Sequence, residues 1–302
     1  MTTAGEKEIS TGHRGTGPSG NLGHGPGGYA RELADRFGGA IDLGGEVEDV
    51  AFLRQVLARR THRSYAPKPV PEPMLRLLIA TSLSASSKSD FQQATIIRVT
   101  DPEKRAALAA LIPSMPWVGA SPVFLVFCGD ARRLERIGRL RDHPETNGRL
   151  EGFFNAAVDA ALVMQTFILA AEAAQLGCCP ISVIRNHADR TGEILGLPDL
   201  VFPVAGLCLG YPASPGHMSL RLPPSITVHT DRYDDSALPE RLDAYDRARD
   251  ARHSIPRAQQ RNAERFGYAA FYGWSEDKAR QAAQAEGAAF PPYLRRHGFT
   301  FD

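Results

Sequence analysis

Residues 151–176 constrain the fold of this chain more than any other segment. They are apolar on nearly every side of a helix, so that helix belongs at the centre of a domain or in a subunit interface. The run is long enough to raise the question of a membrane span. Asn155, Asp159 and Gln165 interrupt it, and such groups are costly in hydrocarbon, so a buried helix is expected. Gly177 is the expected stop. A helix of this kind needs other apolar elements around it. Residues 123–128 and 201–209 read as continuous apolar strands covered on both faces. Shorter strands are expected at 94–100 and 181–184, and helices at 46–60, 74–83, 102–111 and 187–195.

Helices and strands thus alternate around one sheet, which makes the class α/β or α+β. Residues 1–45 read as a disordered, Gly-rich tail. The stretch 12–28 is mostly Gly, Ser, Pro and His, and cannot bury enough surface to offset the entropy of ordering. Its Gly15-Thr-Gly17 follows no strand and opens no helix, which argues against a phosphate loop. The folded core is expected over 46–233. Residues 234–302, rich in Arg, Ala and Asp, read as a C-terminal arm.

The net charge of +1 gives no electrostatic case for nucleic-acid binding. Cys128, Cys178, Cys179 and Cys208 lie in apolar stretches without a Cys-x-x-Cys pair, as buried reduced thiols of a cytoplasmic protein do. The N-terminus carries no apolar run of the signal-peptide kind. No spacing of the His residues suggests a metal site, and no Gly-x-Ser-x-Gly elbow occurs. A chain without these nucleophiles and metals is suited to an organic cofactor.

Several residues can bear on such a cofactor. Arg59, Arg60 and Arg63 close the first core helix. Taken alone they are ordinary helix-end cations, whereas converging guanidinium forks would hold a phosphate. The run Ser84 to Ser89 is ordinarily a loop or cap, but its small hydroxyl residues also allow close approach to a ribityl chain. The segment Pro180 to Arg185 is ordinarily a buried strand; against a flavin its main chain would face the ring. Arg221, in a loop after the last core strand, is ordinarily a solvated residue.

These features occur in an order that resembles the nitroreductase family, in particular its oxygen-insensitive nitroreductase and NADPH–flavin oxidoreductase branch. Arg59-Arg-Thr-His-Arg-Ser-Tyr65 resembles the family's Arg-x-Ser-x-Arg-x-Phe opening. Further matches are Ser86-Ser87 with Gln92, Ile96 to Asp101, Phe124 to Cys128, Asp159 with Gln165, Ala170-Ala-Glu172, Arg185-Asn186, Pro203 to Pro212 and Arg221-Leu-Pro223. The resemblance covers about residues 50 to 233 and returns at Trp274-Ser275 and Tyr293-Leu294.

The resemblance implies an α+β fold with a mixed central sheet flanked by helices. It implies a homodimer joined through the long helix, with FMN at the interface and NADPH or NADH as electron donor. Nitro compounds, quinones or flavins would then be reduced by hydride transfer in two steps, with no acid–base side chain required. By the same resemblance Arg59, Arg60, Thr61, Arg63 and Arg221 hold the phosphate end, and Ser86, Ser87 and Gln92 lie along the flavin. Pro180, Ile181, Ser182 and Val183 face its ring, Met115 and Ser219 occupy cofactor-side positions, and Ser89, Asp90, Arg185 and Asn186 lie on the substrate side.

The chain also departs from the family. Ser219 stands where the family has Lys, Met115 where it has a polar amide, and Asp90 where it has an aromatic. Ser182 and Val183 replace two Gly, and Gly287 stands at an Arg linked to substrate. Arg257, Arg261 and Arg265 are the candidates for contacts to the nicotinamide donor. These departures favour a changed acceptor, so a specialised enzyme acting on a biosynthetic intermediate is the nearest alternative. A flavin-binding protein without turnover is a third reading.

Overall fold

The computed structural model describes residues 28–144 and 148–301. Most of the expected tail, residues 1–27, therefore lies outside the described residues, but residues 28–45 do not. Helix α1, Ala30–Phe37, folds there, with Tyr29 and Leu33 buried, and it ends on Gly38 at φ 83°. This corrects the expected start of order near residue 46: a low-complexity stretch hides a short amphipathic helix. The next helix, α2, is shorter than expected. It spans Ala51–Ala58, and Val50 before it is extended.

α3 (Glu72–Ser82) follows a proline-rich connection and starts with Pro73 in its first turn, where the missing N–H costs nothing. β1 (Ala94–Arg98) leads to α4 (Pro102–Ala110), capped by Asp101, whose carboxylate accepts from the amides of Glu103 (2.8 Å) and Lys104 (3.3 Å). The short α5 (Trp117–Ala120) precedes β2 (Val123–Asp130), α6 (Arg132–Leu140) and the long α7 (Leu150–Ala173). β3 (Gly177–Ile181), α8 (Ala188–Leu195) and β4 (Val201–Gly210) complete the central layer.

The strands form one sheet in the order β1-β2-β4-β3, and each neighbouring pair is antiparallel. The α+β class holds. α7 lies on the sheet, and the apolar side chains of β2 and β4 meet Phe167, Ile168 and Ala171 from it. Burial of each large side chain here contributes about 1.5–3 kcal/mol. The opposite face, with Phe124, Val126 and Cys208, packs against Leu108, Val118 and Ile184.

Three expected boundaries change, each for a local reason. The long helix stops at Ala173, not at Gly177. Gln175 takes φ 61° to turn the chain, and the Leu176 amide bonds back to Ala171 O at 2.9 Å. Gly177 instead opens β3, where a Cβ would stand 2.8 Å from His62. The strand expected at 181–184 is β3 at Gly177–Ile181, because its pairing with β4 ends at Ile181↔Gly206. Residues 182–187 then form a 3₁₀ turn.

α9 (Pro224–Thr227) ends the expected core, and the C-terminal arm carries more structure than its composition suggests: α10 (Leu238–Arg252), α11 (Ala263–Phe266), α12 (Trp274–Ala282) and α13 (Phe290–Arg296). Its end completes the core. Tyr293, Leu294 and Phe299 are buried with Phe202, Ala156 and Ala188, in a cluster that also holds Phe153 and Phe290. Sparse apolar residues hid this, because three or four large side chains suffice to seal one end of a sheet.

Candidate functional site

Two short antiparallel bridges assemble the first part of the site. Thr61 pairs with His217 and Tyr65 with Pro212, which lays the segment after α2 beside the loop after β4. The His62 amide donates to Cys178 O at 3.0 Å, pinning that segment to the sheet's outer strand β3. The result is a cleft of about 160 Å³ between the two segments. Arg59, Arg60, Arg63 and Arg221 line it, together with Arg36 from α1. Thr61, Ser219 and His217 complete its wall, and no carboxylate belongs to it among the described residues. The nearest acid, Glu172 from the end of α7, stands behind, 3.4 Å from Arg59 Nε. That contact falls short of a hydrogen bond, so Arg59 Nε and both Glu172 oxygens are buried without a hydrogen-bond partner.

The electrostatics follow from this excess of cations. Arg36 is pushed down to about 10, first by burial and then by Arg221, Arg59 and Arg60. His62 is lowered by burial, and by Arg60 and Arg59, against the main-chain carbonyl of Ser214, which raises it. His217 is lowered by burial and by the neighbouring His253, Arg249 and Arg60. Both imidazoles are therefore held toward the neutral form, and the cleft's charge resides on its guanidinium groups. A site so arranged binds an anion with several acceptor oxygens.

A second cleft, of about 480 Å³, opens at the Ser-rich loop. Ser86, Ser87 and Gln92 line it, opposite Ile96 and Val163. The loop is held in an unusual conformation: Ser89, Asp90 and Gln92 have φ of 48°, 59° and 54°. Asp159 of α7, 1% exposed, holds it there. Its carboxylate accepts from Ser87 Oγ (2.7 Å), the Lys88 amide (3.0 Å) and the Gln93 amide (2.9 Å). Ser87 Oγ in turn accepts from the Gln92 amide at 2.6 Å, and the Gln92 side chain donates to Asp90 Oδ1 at 3.0 Å.

The other expected residues fall into place less evenly. Pro180 and Ser182 are exposed at the sheet's edge, Ile181 is buried and Val183 is half-buried; Ser182 and Val183 lie past the last paired residue of β3. Arg63 lies 5.6 Å over the Trp117 ring. Met115 packs with the apolar cluster of Ile112 and Val118 and lines neither cleft. Arg185 donates to Val204 O. Asn186 Oδ1 lies 4.0 Å from where a Cβ on Gly287 would be, so these two positions adjoin. Of the arm's arginines, Arg261 is tied to Asp277 at 3.0 Å and Arg257 stacks on Tyr268, so neither is a free cation.

Reading the sequence missed Arg36 and the carboxylate role of Asp159. The signal for Arg36 is slight: a helix-length stretch with Glu32 in its first turn, Arg36 in its last and Gly38 after it.

One face of α7 remains open. Leu150, Phe154, Val158 and Leu162, four residues apart, are 54, 60, 38 and 40% exposed. That spacing puts them in one stripe along the helix.

The fold and the cleft define a protein with a cationic cleft, suited to an anionic ligand, at the edge of a small antiparallel sheet. Comparison with known proteins places it: the chain belongs to the nitroreductase family, whose sequence pattern matches residues 56–211, while the pattern of the nitroreductase family's C-terminal domain matches residues 219–302. It is similar to the NADPH-flavin oxidoreductase of Vibrio harveyi, with 31% identity over 82% of this chain and 98% of that protein. It is also similar to an FMN reductase [NAD(P)H] of Bacillus subtilis (strain 168), with 35% identity over 64% of this chain and 79% of that protein. Among solved structures, B. megaterium NfrA2 superposes with a TM-score of 0.74 at 29% identity, covering 84% of this chain and 100% of that one. The Vibrio harveyi NADPH:FMN oxidoreductase complexed with NAD+ superposes at 0.72 with 30% identity, covering 82% of this chain and 98% of that one.

Proposed function

We propose that the arginine cleft holds the phosphate of FMN, and that the chain works as an FMN-dependent NAD(P)H oxidoreductase reducing nitro compounds, quinones or flavins. One observation carries this reading: guanidinium groups from three separate segments converge on a cleft without a carboxylate. The donor set fits the group. A phosphate monoester carries nearly two negative charges at neutral pH and offers oxygens to planar forks, which is what Arg59, Arg63 and Arg221 present. Arg59 Nε makes no hydrogen bond and has only the 3.4 Å ion-pair contact to Glu172, so this guanidinium is not committed to a protein acceptor. When bound, FMN supplies two-electron chemistry between a reduced nicotinamide and an acceptor.

The chain's own residues bind and orient. Arg60 and Thr61 close the phosphate end, and Ser219 positions Arg221 by accepting its Nη1 at 2.8 Å. The end of β3 and the turn after it, from Pro180 to Val183, offer main chain along the ring. Ser86 and Gln92 wall the far cleft, while Ser89 and Asp90 present polar groups toward a substrate. Positive charge at the cleft stabilises negative charge that develops nearby.

The stripe of Leu150, Phe154, Val158 and Leu162 supports a homodimer through α7, since a contiguous apolar helix face of this length is a poor surface to leave in water. The four free, buried thiols, each raised by burial, support a reducing, cytoplasmic setting. Asp90 favours an acceptor other than a simple nitroaromatic.

The test is the visible spectrum of the purified protein, followed by anaerobic addition of NADPH or NADH. Bound flavin bleached by a nicotinamide is expected, and a colourless protein that takes up no FMN would overturn the reading. Arg63→Ala should abolish FMN retention on desalting. Retention at the wild-type level would mean that the phosphate lies elsewhere.

A further inference from the structure

Arg36 lies outside both segments that match the family. It reaches the arginine cleft from α1, across 183 residues of sequence from Ser219. It is 5% exposed. Its guanidinium donates to three main-chain carbonyls: Leu57 O at 2.7 Å, Ser219 O at 3.1 Å and Arg59 O. Its own carbonyl accepts from the Arg221 amide at 2.9 Å. One residue therefore grips both walls of the cleft, the segment bearing Arg59 and the segment bearing Arg221. None of these bonds goes to a carboxylate, and the one acid that acts on the charge, Glu172, is shared with Arg59 and Arg60, so cations outnumber it here. A buried, unpaired cation is costly to fold around, and a bound anion offsets that cost.

α1 itself is held in place. Arg252 of α10 donates to Asp35 O and Ala34 O, each at 2.9 Å. A Cβ on Gly38 would come within 3.1 Å of Leu220, so α1 docks closely on the loop that carries Ser219 and Arg221.

We propose that Arg36 is a positioning residue of the phosphate cleft: it clamps the two arginine-bearing segments together and places a buried cation beside Ser219. This rests on the FMN reading above. The cleft is thereby completed by a segment that precedes the family's matched region, and FMN binding depends on a helix outside that region.

The experiment compares FMN with riboflavin, which lacks only the phosphate, by fluorescence titration of the full-length apoprotein. Arg36→Ala should weaken FMN by ~30-fold or more, the loss of a buried charge-assisted contact, and leave riboflavin within ~3-fold. Ser219→Lys in the Arg36→Ala background should restore ~10-fold of that loss by returning a cation to the same place. Arg36→Lys should bind FMN better than Arg36→Gln, and the melting curve of each apoprotein reports whether it folds. If Arg36→Ala does not fold, the Lys and Gln variants carry the comparison. Equal loss of FMN and riboflavin, or no rescue by Ser219→Lys, would reduce Arg36 to a structural strut and overturn the proposal. Wild-type protein with no preference for FMN over riboflavin would instead overturn the phosphate assignment. If Arg63→Ala and Arg221→Ala lose FMN selectively while Arg36→Ala does not, the cleft stands and the role of Arg36 falls.

Discussion

The arginine cleft and the cleft at the Ser-rich loop are built on opposite principles. The arginine cleft gathers charge and leaves most of it uncompensated. Its guanidinium groups face a space without a carboxylate, and the one nearby acid, Glu172, stands behind Arg59. The Ser-rich loop gathers polar groups and spends them on itself. Asp159 takes three donors, and Ser87 both donates to Asp159 and accepts from Gln92. The first arrangement needs a ligand to be satisfied, whereas the second is satisfied already and holds three residues in left-handed conformations. Residue types that look equally suited to a cofactor thus stand in different surroundings: the arginines face an open cleft, and Ser87 is taken up in the hydrogen bonds of its own loop.

The contrast breaks most readily at Asp159. Asp159→Ala removes the acceptor of three hydrogen bonds and leaves buried donors unpaired, so the apoprotein should lose about 3–5 kcal/mol of unfolding free energy. Urea denaturation measures it, and a loss below about 1 kcal/mol would mean that the loop does not depend on this carboxylate. Ser87→Ala should cost less, about 1–2 kcal/mol for two hydrogen bonds, with FMN affinity nearly unchanged once the protein is folded. If Ser87→Ala instead lowers FMN affinity without lowering stability, the hydroxyl serves the ligand and the two clefts are more alike than their hydrogen bonds suggest.

The sequence made the two clefts legible to different depths. Arg59, Arg60 and Arg63 sit within one short motif and Arg221 follows a matched strand, so their convergence was expected before any coordinates. Arg36 was not, because contacts across 183 residues leave no local trace and the neighbouring low-complexity composition argued against any helix. Ser87 and Asp159 were each singled out, but their hydrogen bond joins residues 72 apart, and no periodicity encodes such a pairing. The central strands and α7 were legible because burial on both faces imposes continuous apolar runs. The arm was not, since Tyr293, Leu294 and Phe299 seal the core with too few residues to make a pattern. Gly177 was read as a helix stop when its absent side chain makes room for His62. A glycine reports that a Cβ is excluded, and the reason can lie elsewhere in the fold.

The smallest expected effect, at Glu172, sharpens the comparison from the cleft side. Burial raises its carboxyl above the ordinary value, against the pull of Arg59, Arg36 and Arg60. A carboxyl raised on folding binds its proton more tightly in the native state. Its stabilising contribution is complete below the unfolded value and is lost as pH rises through the folded one. The wild-type apoprotein should therefore lose stability relative to Glu172→Gln as pH rises from acidic toward neutral, and urea unfolding across that interval reads the difference. Because the ionised carboxylate competes with the ligand for Arg59, Glu172→Gln should also tighten FMN by ~2–3-fold at neutral pH, the scale of one partly screened charge. A weaker FMN complex in that variant would show the reverse: that Glu172 aims Arg59 at the phosphate, and that the cleft, like the serine loop, depends on a carboxylate of α7 for its shape.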